Sequence, residues 1–153
     1  MNELLKNTIL NELKSRLSEK EFSNIKDKNL HLAIFTNPCL EYMLEGKKKV
    51  ESRFSKNKIV PYNKIEKEDI VIVKKSGGEV VAYFTIKDIL FFNLEQTNIS
   101  EIRKKYEKEL CVDEEFWKKK ETSRYASLIF IDKLYKLDSF KISKKGMQTW
   151  IKL

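Results

Sequence analysis

The residues best placed to do chemistry are Lys48, Glu51 and Arg53, in the run Gly46-Lys47-Lys48-Lys49-Val50-Glu51-Ser52-Arg53. In an extended strand, residues two apart share a face. Read as a strand, the run projects Lys49, Glu51 and Arg53 together and turns Val50 and Phe54 into the core. A carboxylate between two cations can hold a guanidinium in one pose, and a fixed guanidinium suits bidentate recognition of a phosphate or a base edge. The same pattern fits a structural ion pair on a sheet wall. Strict alternation from Val50 turns Lys48 inward, but Lys48 follows Gly46 by only two residues, so turn geometry can redirect it into a cleft. There it could contact a phosphate or act as a general base, or stay solvated near a helix C-terminus, where a cation is favoured. Lys56, Lys58 and Lys64 extend the basic surface beyond this run. Tyr62 could stack on an unpaired base or seat its loop on the sheet.

Other chemistries find less support. Cys39 and Cys111 lie far apart without metal-ligand spacing, and His31, the single histidine, completes no zinc set with them. No metal and no other cofactor is expected. Ser52 and Ser76 have no nearby His–Asp pattern, so a serine nucleophile has no partners. Free thiols fit a reducing compartment. The N-terminus lacks the apolar core of a signal peptide, and no run approaches the roughly 20 apolar residues of a membrane span. The expectation is a cytoplasmic protein with no membrane partner.

The elements that must position these residues can be read from periodicity. Leu5, Ile9, Leu13 and Leu17 recur every four residues, which predicts an amphipathic helix over residues 2–19. Ser18 and Glu21 have the spacing of a capping box for a second short helix. His31–Thr36 reads as a buried strand, and Asn37-Pro38 as the cap and first residue of a helix that Gly46 stops. Residues 47–54 form the strand carrying the motif, and residues 55–68 a polar loop. Ile70–Val73 and Val80–Ile86, extending towards Phe92, flank the Ser76-Gly77-Gly78 turn as a hairpin. Lys74 and Lys75 make that turn a basic tip. Two helices follow, the first capped by Asn98 and the second, with Phe116 and Trp117, capped by Asp113. Tyr125–Ile131 and Met147–Leu153 return to strand, and Trp117 and Trp150 are expected in the core. The order gives an α+β fold; periodicity alone leaves it as a mixed sheet, while many short strands with polar turns suggest a closed or nearly closed barrel.

The 153 residues suit one domain, and 41% hydrophobic with 35% charged residues is a globular mixture. The net charge of +8 points to a polyanionic partner, since each cation near a phosphate can displace a condensed counterion.

Residues 46–53 resemble the ASCH family, whose signature can be written G-x-K-x-x-E-x-R. Gly46, Lys48, Glu51 and Arg53 match its four fixed positions. A strand and helix precede the run, and a strand entered by Glu68-Asp69 follows, where family members often have Gly-Asp. The resemblance covers residues 30–153 and implies a PUA-like mixed β-barrel flanked by helices. The chain then divides into an N-terminal helical extension, residues 1–28, packed on an ASCH/PUA-like domain, residues 29–153. The family is thought to bind RNA or nucleotides. Some small members act as amidohydrolases on acetylated cytidine through the motif lysine, a threonine and a later glutamate, and others have been linked to RNA cleavage. Lys48 matches that lysine, but Glu51 stands where those members carry the threonine.

The leading expectation is an RNA- or nucleotide-binding module whose ligand meets Lys48, Glu51, Arg53, Lys49, Tyr62 and Lys56. The alternative is a hydrolase on a modified nucleoside or RNA, with Lys48 and Glu51 catalytic. A third reading is an adaptor acting through the N-terminal helix, which could also make a weak dimer of a chain otherwise expected to be monomeric.

Overall fold

The computed structural model describes residues 2–153. The elements run in the order α1 (Asn2–Arg16), α2 (Glu19–Ile25), β1 (Leu30–Phe35), α3 (Cys39–Leu44), β2 (Val50–Ser55), β3 (Ile70–Lys75), β4 (Val80–Asn93), α4 (Ile99–Leu110), α5 (Glu114–Lys120), β5 (Tyr125–Phe140) and β6 (Trp150–Lys152). All six strands form one sheet in the order β2-β5-β4-β3-β1-β6. Among the described residues only β1 and β3 pair in parallel; the other four pairings are antiparallel. The sheet curls until its two ends meet. Arg53, on β2 at one end, hydrogen-bonds to the Ile34 carbonyl of β1 near the other, which makes a half-barrel.

Three apolar clusters explain why the strands look as they do in sequence. Inside the curl, Val71 and Val73 pack with Ala33, Phe35, Phe84, Ile86 and Trp150. On the outer face of the same strands, Ile70 and Ile72 join Leu30 and Leu32 beneath Ile9 and Leu13 of α1. A strand covered on both faces reads as an unbroken apolar run, and Ile70–Val73 is one. The third cluster sets Val50, Ala126 and Leu128 against Ile102, Leu110 and Trp117 of α4 and α5.

Local signals set the ends of several elements. The Ser18–Glu21 capping box is reciprocal: the Glu21 amide donates to Ser18 Oγ at 3.1 Å and the Ser18 amide to Glu21 Oε1 at 2.9 Å. Asp113 caps α5 by accepting from the Phe116 amide, and Asn98 caps α4 through the Ser100 amide. Several elements depart from the sequence expectation, beginning with α1, which ends at Arg16, three residues short of the expected end. Helix α3 begins at Cys39, with Pro38 at the cap position and no side-chain cap from Asn37, because the Pro38 backbone is already helical. Strand β2 begins at Val50, three residues after the expected start. Strand β5 continues nine residues past Ile131 to Phe140, because its far half pairs with β4 from Val80 to Phe84. The closing strand shortens to Trp150–Lys152.

Candidate functional site

The motif starts at the end of α3. Gly46 sits at φ +78, and the chain turns there in a Schellman arrangement, with the Lys47 amide bonded to the Tyr42 carbonyl and the Gly46 amide to that of Met43. The Lys48 amide also reaches the Tyr42 carbonyl, at 3.1 Å. This turn, rather than strand alternation, decides where the next side chains go. Lys48 goes inward and is 2% exposed, whereas Lys49 is exposed, with no side-chain polar partner among the described residues.

A buried lysine needs an anion and hydrogen-bond acceptors. Lys48 Nζ donates to the Leu110 carbonyl at the end of α4 and faces Glu51 Oε1 at 3.5 Å. That carbonyl is one of the helix-end acceptors with no partner inside its own helix, and a cation is favoured there. Glu51 Oε1 also accepts the Ser52 amide, at 3.1 Å. Glu51 Oε2 accepts from Arg53 Nε at 3.0 Å and lies 2.9 Å from Nη2. Arg53 spends its remaining reach on backbone: Nη2 donates to Ile34 O at 2.9 Å and Nη1 to Thr149 O at 3.3 Å. Its guanidinium packs against the rings of Phe35 and Trp150, 4.9 and 5.2 Å from their centroids. The motif is therefore a chain of charges, with Lys48 and Glu51 buried and Arg53 partly so, that ties α4 to β2 and β2 to β1.

Trp150 is itself held. Its indole N–H donates to His31 Nδ1 at 3.2 Å, and His31 Nε2 lies 2.8 Å from Asp69 Oδ2. An indole can only donate, so Nδ1 is the acceptor and Nε2 carries the proton, which it gives to Asp69. Asp69 also accepts the Glu66 amide at 3.0 Å and the Asn29 side chain at 3.3 Å. Burial pushes the His31 pKa below its ordinary 6.5, against the pull of Asp69. Below about 6.5 the unfolded chain then binds a proton that the fold refuses, so this group's contribution to stability falls as pH drops from 6.5 towards the lower folded value. Because His31 is the only histidine, its ring protons can be followed directly by NMR. The expected titration midpoint lies below 6.5; a midpoint at or above it would contradict the neutral tautomer.

A cavity of about 610 Å³ opens between α3, the turn after α4, and α5. Its wall includes Cys39, Tyr42, Lys47, Phe116, Lys119 and Lys120. Lys48, Glu51 and Arg53 are not among its lining residues, though their charges reach it; Lys48, with Gly46 and Lys49, instead lines a separate cavity of about 370 Å³. Burial pushes the Cys39 thiol pKa up, and the Lys48 charge opposes this. Burial and the positive charge of Arg53 both lower the Lys120 pKa, while Glu51 raises it.

The other residues singled out in the sequence lie elsewhere. Lys56 is exposed in the loop after β2. Tyr62 packs edge-on against Phe91 at 5.4 Å and tilted against Tyr125 at 4.9 Å, which seats the loop on the sheet. With Arg53 it borders a small hollow of only about 50 Å³. Tyr42, Phe116, Lys119 and Lys120 were not singled out as ligand contacts. The available signal was the aromatic pair Phe116-Trp117 directly before three lysines.

This architecture is the ASCH-type, PUA-like fold. Crystal structures of the ASCH protein from Zymomonas mobilis share it: one has a TM-score of 0.65 at 12% identity, over 83% of this chain and 89% of that one. A point variant of the same protein gives a TM-score of 0.63 at 12% identity, over 81% and 89%. No protein-family model matches the sequence, and no curated protein does. No helix among the described residues is long and apolar enough to cross a membrane.

Proposed function

We propose that this protein is an ASCH-type module that binds RNA or nucleotides, with the ligand in the cavity between α3 and α5. The observation that carries this reading is the cavity itself. Its volume of about 610 Å³ falls in the usual range for small-molecule sites, and it combines the aromatic rings of Tyr42 and Phe116 with three lysines. Aromatic faces with nearby cations suit an unpaired base and its phosphate. The Lys48–Glu51–Arg53 chain would then shape and charge the cavity rather than touch the ligand, since its donors are largely engaged. The net charge of +8 favours the same class of partner.

The test is a fluorescence-anisotropy titration of labelled single-stranded RNA at about 50 and 200 mM salt. Wild type is compared with Tyr42→Ala and with the hairpin-tip double variant Lys74→Ala/Lys75→Ala, each checked for folding by circular dichroism. Binding should weaken steeply with salt, and Tyr42→Ala should reduce it by about tenfold, the loss of one stacked base. The hairpin variant should stay close to wild type. Equal losses in both variants would mean a diffuse basic surface and no cavity site. Shortened RNA after the titration would move the reading from binding to hydrolysis.

A further inference from the structure

The three lysines of the cavity wall differ in what they already hold. Lys47 Nζ is 2.9 Å from Glu45, and Lys119 Nζ is 3.6 Å from Glu115. Both are well exposed, at 66% and 72%. Lys120 is half-buried, and among the described residues it has no carboxylate at ion-pair distance. Its ammonium lies over the Phe116 ring, 5.3 Å from the centroid. The acids at the same wall are occupied: Asp113 caps α5 through the Phe116 amide, and Glu115 faces Lys119.

We infer that Lys120 is the anion-binding residue of this cavity, contacting one phosphate group of the bound nucleotide or RNA strand. The inference rests on the reading of the cavity as a nucleotide site and assigns the contact to α5, outside the motif. An anion arriving at Lys47 or Lys119 competes with a glutamate already there, and screening by water makes the contact weak. An anion arriving at Lys120 displaces no carboxylate and meets an ammonium that has already lost part of its hydration. Burial and the Arg53 charge disfavour that ammonium, and a phosphate would relieve both. Arg53, whose type best suits phosphate, is committed to Glu51 and to the Ile34 and Thr149 carbonyls. Lys48 is committed to Leu110 and Glu51.

The experiment uses two probes, inorganic pyrophosphate by calorimetry and labelled single-stranded RNA by anisotropy. The proteins are wild type, Lys120→Met, Lys120→Arg and Lys119→Met, each shown to be folded. Lys120→Met should weaken both probes by about tenfold and reduce the salt slope for RNA by about 0.7, the share of one phosphate contact. Lys120→Arg should restore most of the affinity, and Lys119→Met should stay within about twofold of wild type. If wild type binds RNA but Lys120→Met matches Lys119→Met, the assignment of Lys120 is overturned and the nucleotide reading stands. If Lys120 controls pyrophosphate binding while wild type ignores RNA, the anion site stands and the RNA-binding reading falls. Wild type that binds neither probe overturns both.

Discussion

Glu51→Ala is expected to lower the unfolding free energy by about 3–5 kcal/mol, because it leaves a buried cation without its counter-charge. Lys48 is 2% exposed and Glu51 7%, so little water is available to replace the carboxylate. The same substitution frees Arg53 from the group that orients its Nε and Nη2. For a domain of this size the loss corresponds to a melting point lower by roughly 10 °C. Lys48→Met should cost less. It removes the buried charge, fills similar volume, and leaves Glu51 paired with Arg53. Urea denaturation of the three proteins orders them as wild type, Lys48→Met, Glu51→Ala from most to least stable. A Glu51→Ala midpoint within experimental error of wild type would mean the charge chain is solvated in solution and does not organise the site.

Leu13→Ala should cost about 2–5 kcal/mol, the range for emptying a fully buried leucine site. Helix α1 places Ile9 and Leu13 at 0% exposure over Leu30, Leu32, Ile70 and Ile72. Removing residues 2–17 strips Ile9 and Leu13 from the outer face of β1 and β3, and the shortened chain is expected not to fold cooperatively. Thermal unfolding of Leu13→Ala and of the truncated chain checks both statements. A truncated protein that melts like wild type would make α1 a detachable appendage. The adaptor reading needs that outcome, because a helix whose apolar stripe is already covered has little left to offer a partner.

Much of the fold was legible in the sequence where a single cause fixes an element. The four-residue stripe of α1, the Ser18–Glu21 box, the Asp113 cap and the apolar run of β3 each report one local rule, and each element formed there, although α1 ends at Arg16, before the last leucine of its stripe. The far half of β5 was not legible. Residues 132–139 are largely polar and exposed, and they are extended because they pair with β4, not because a face of their own is buried. The site divides in the same way. The match of Gly46, Lys48, Glu51 and Arg53 to a family signature drew attention to the turn after α3. The two-residue alternation assumed there placed Lys49 beside Glu51, whereas the strand begins only at Val50 and a helix-end turn sets the three lysines before it. The cavity was missed for a different reason. Its wall combines Tyr42 with Phe116 and Lys120, residues more than seventy positions apart, and only the α4–α5 excursion between β4 and β5 brings them together.

The guanidinium that bridges the two ends of the curled sheet has a consequence for how these molecules behave in a crowd. A curled sheet that is not laddered shut still presents unpaired backbone groups along its terminal strands, and such groups template strand addition from another chain. Strand β6 is only three residues long and leaves part of β1 open. Arg53 occupies that stretch by taking the carbonyls of Ile34 and Thr149, while the Ile34 amide is already given to Thr149. A strand from a second molecule approaching that stretch must first displace a cation held by Glu51 and two aromatic rings. The residue that closes the half-barrel thus also occupies backbone acceptors that an added strand could otherwise use.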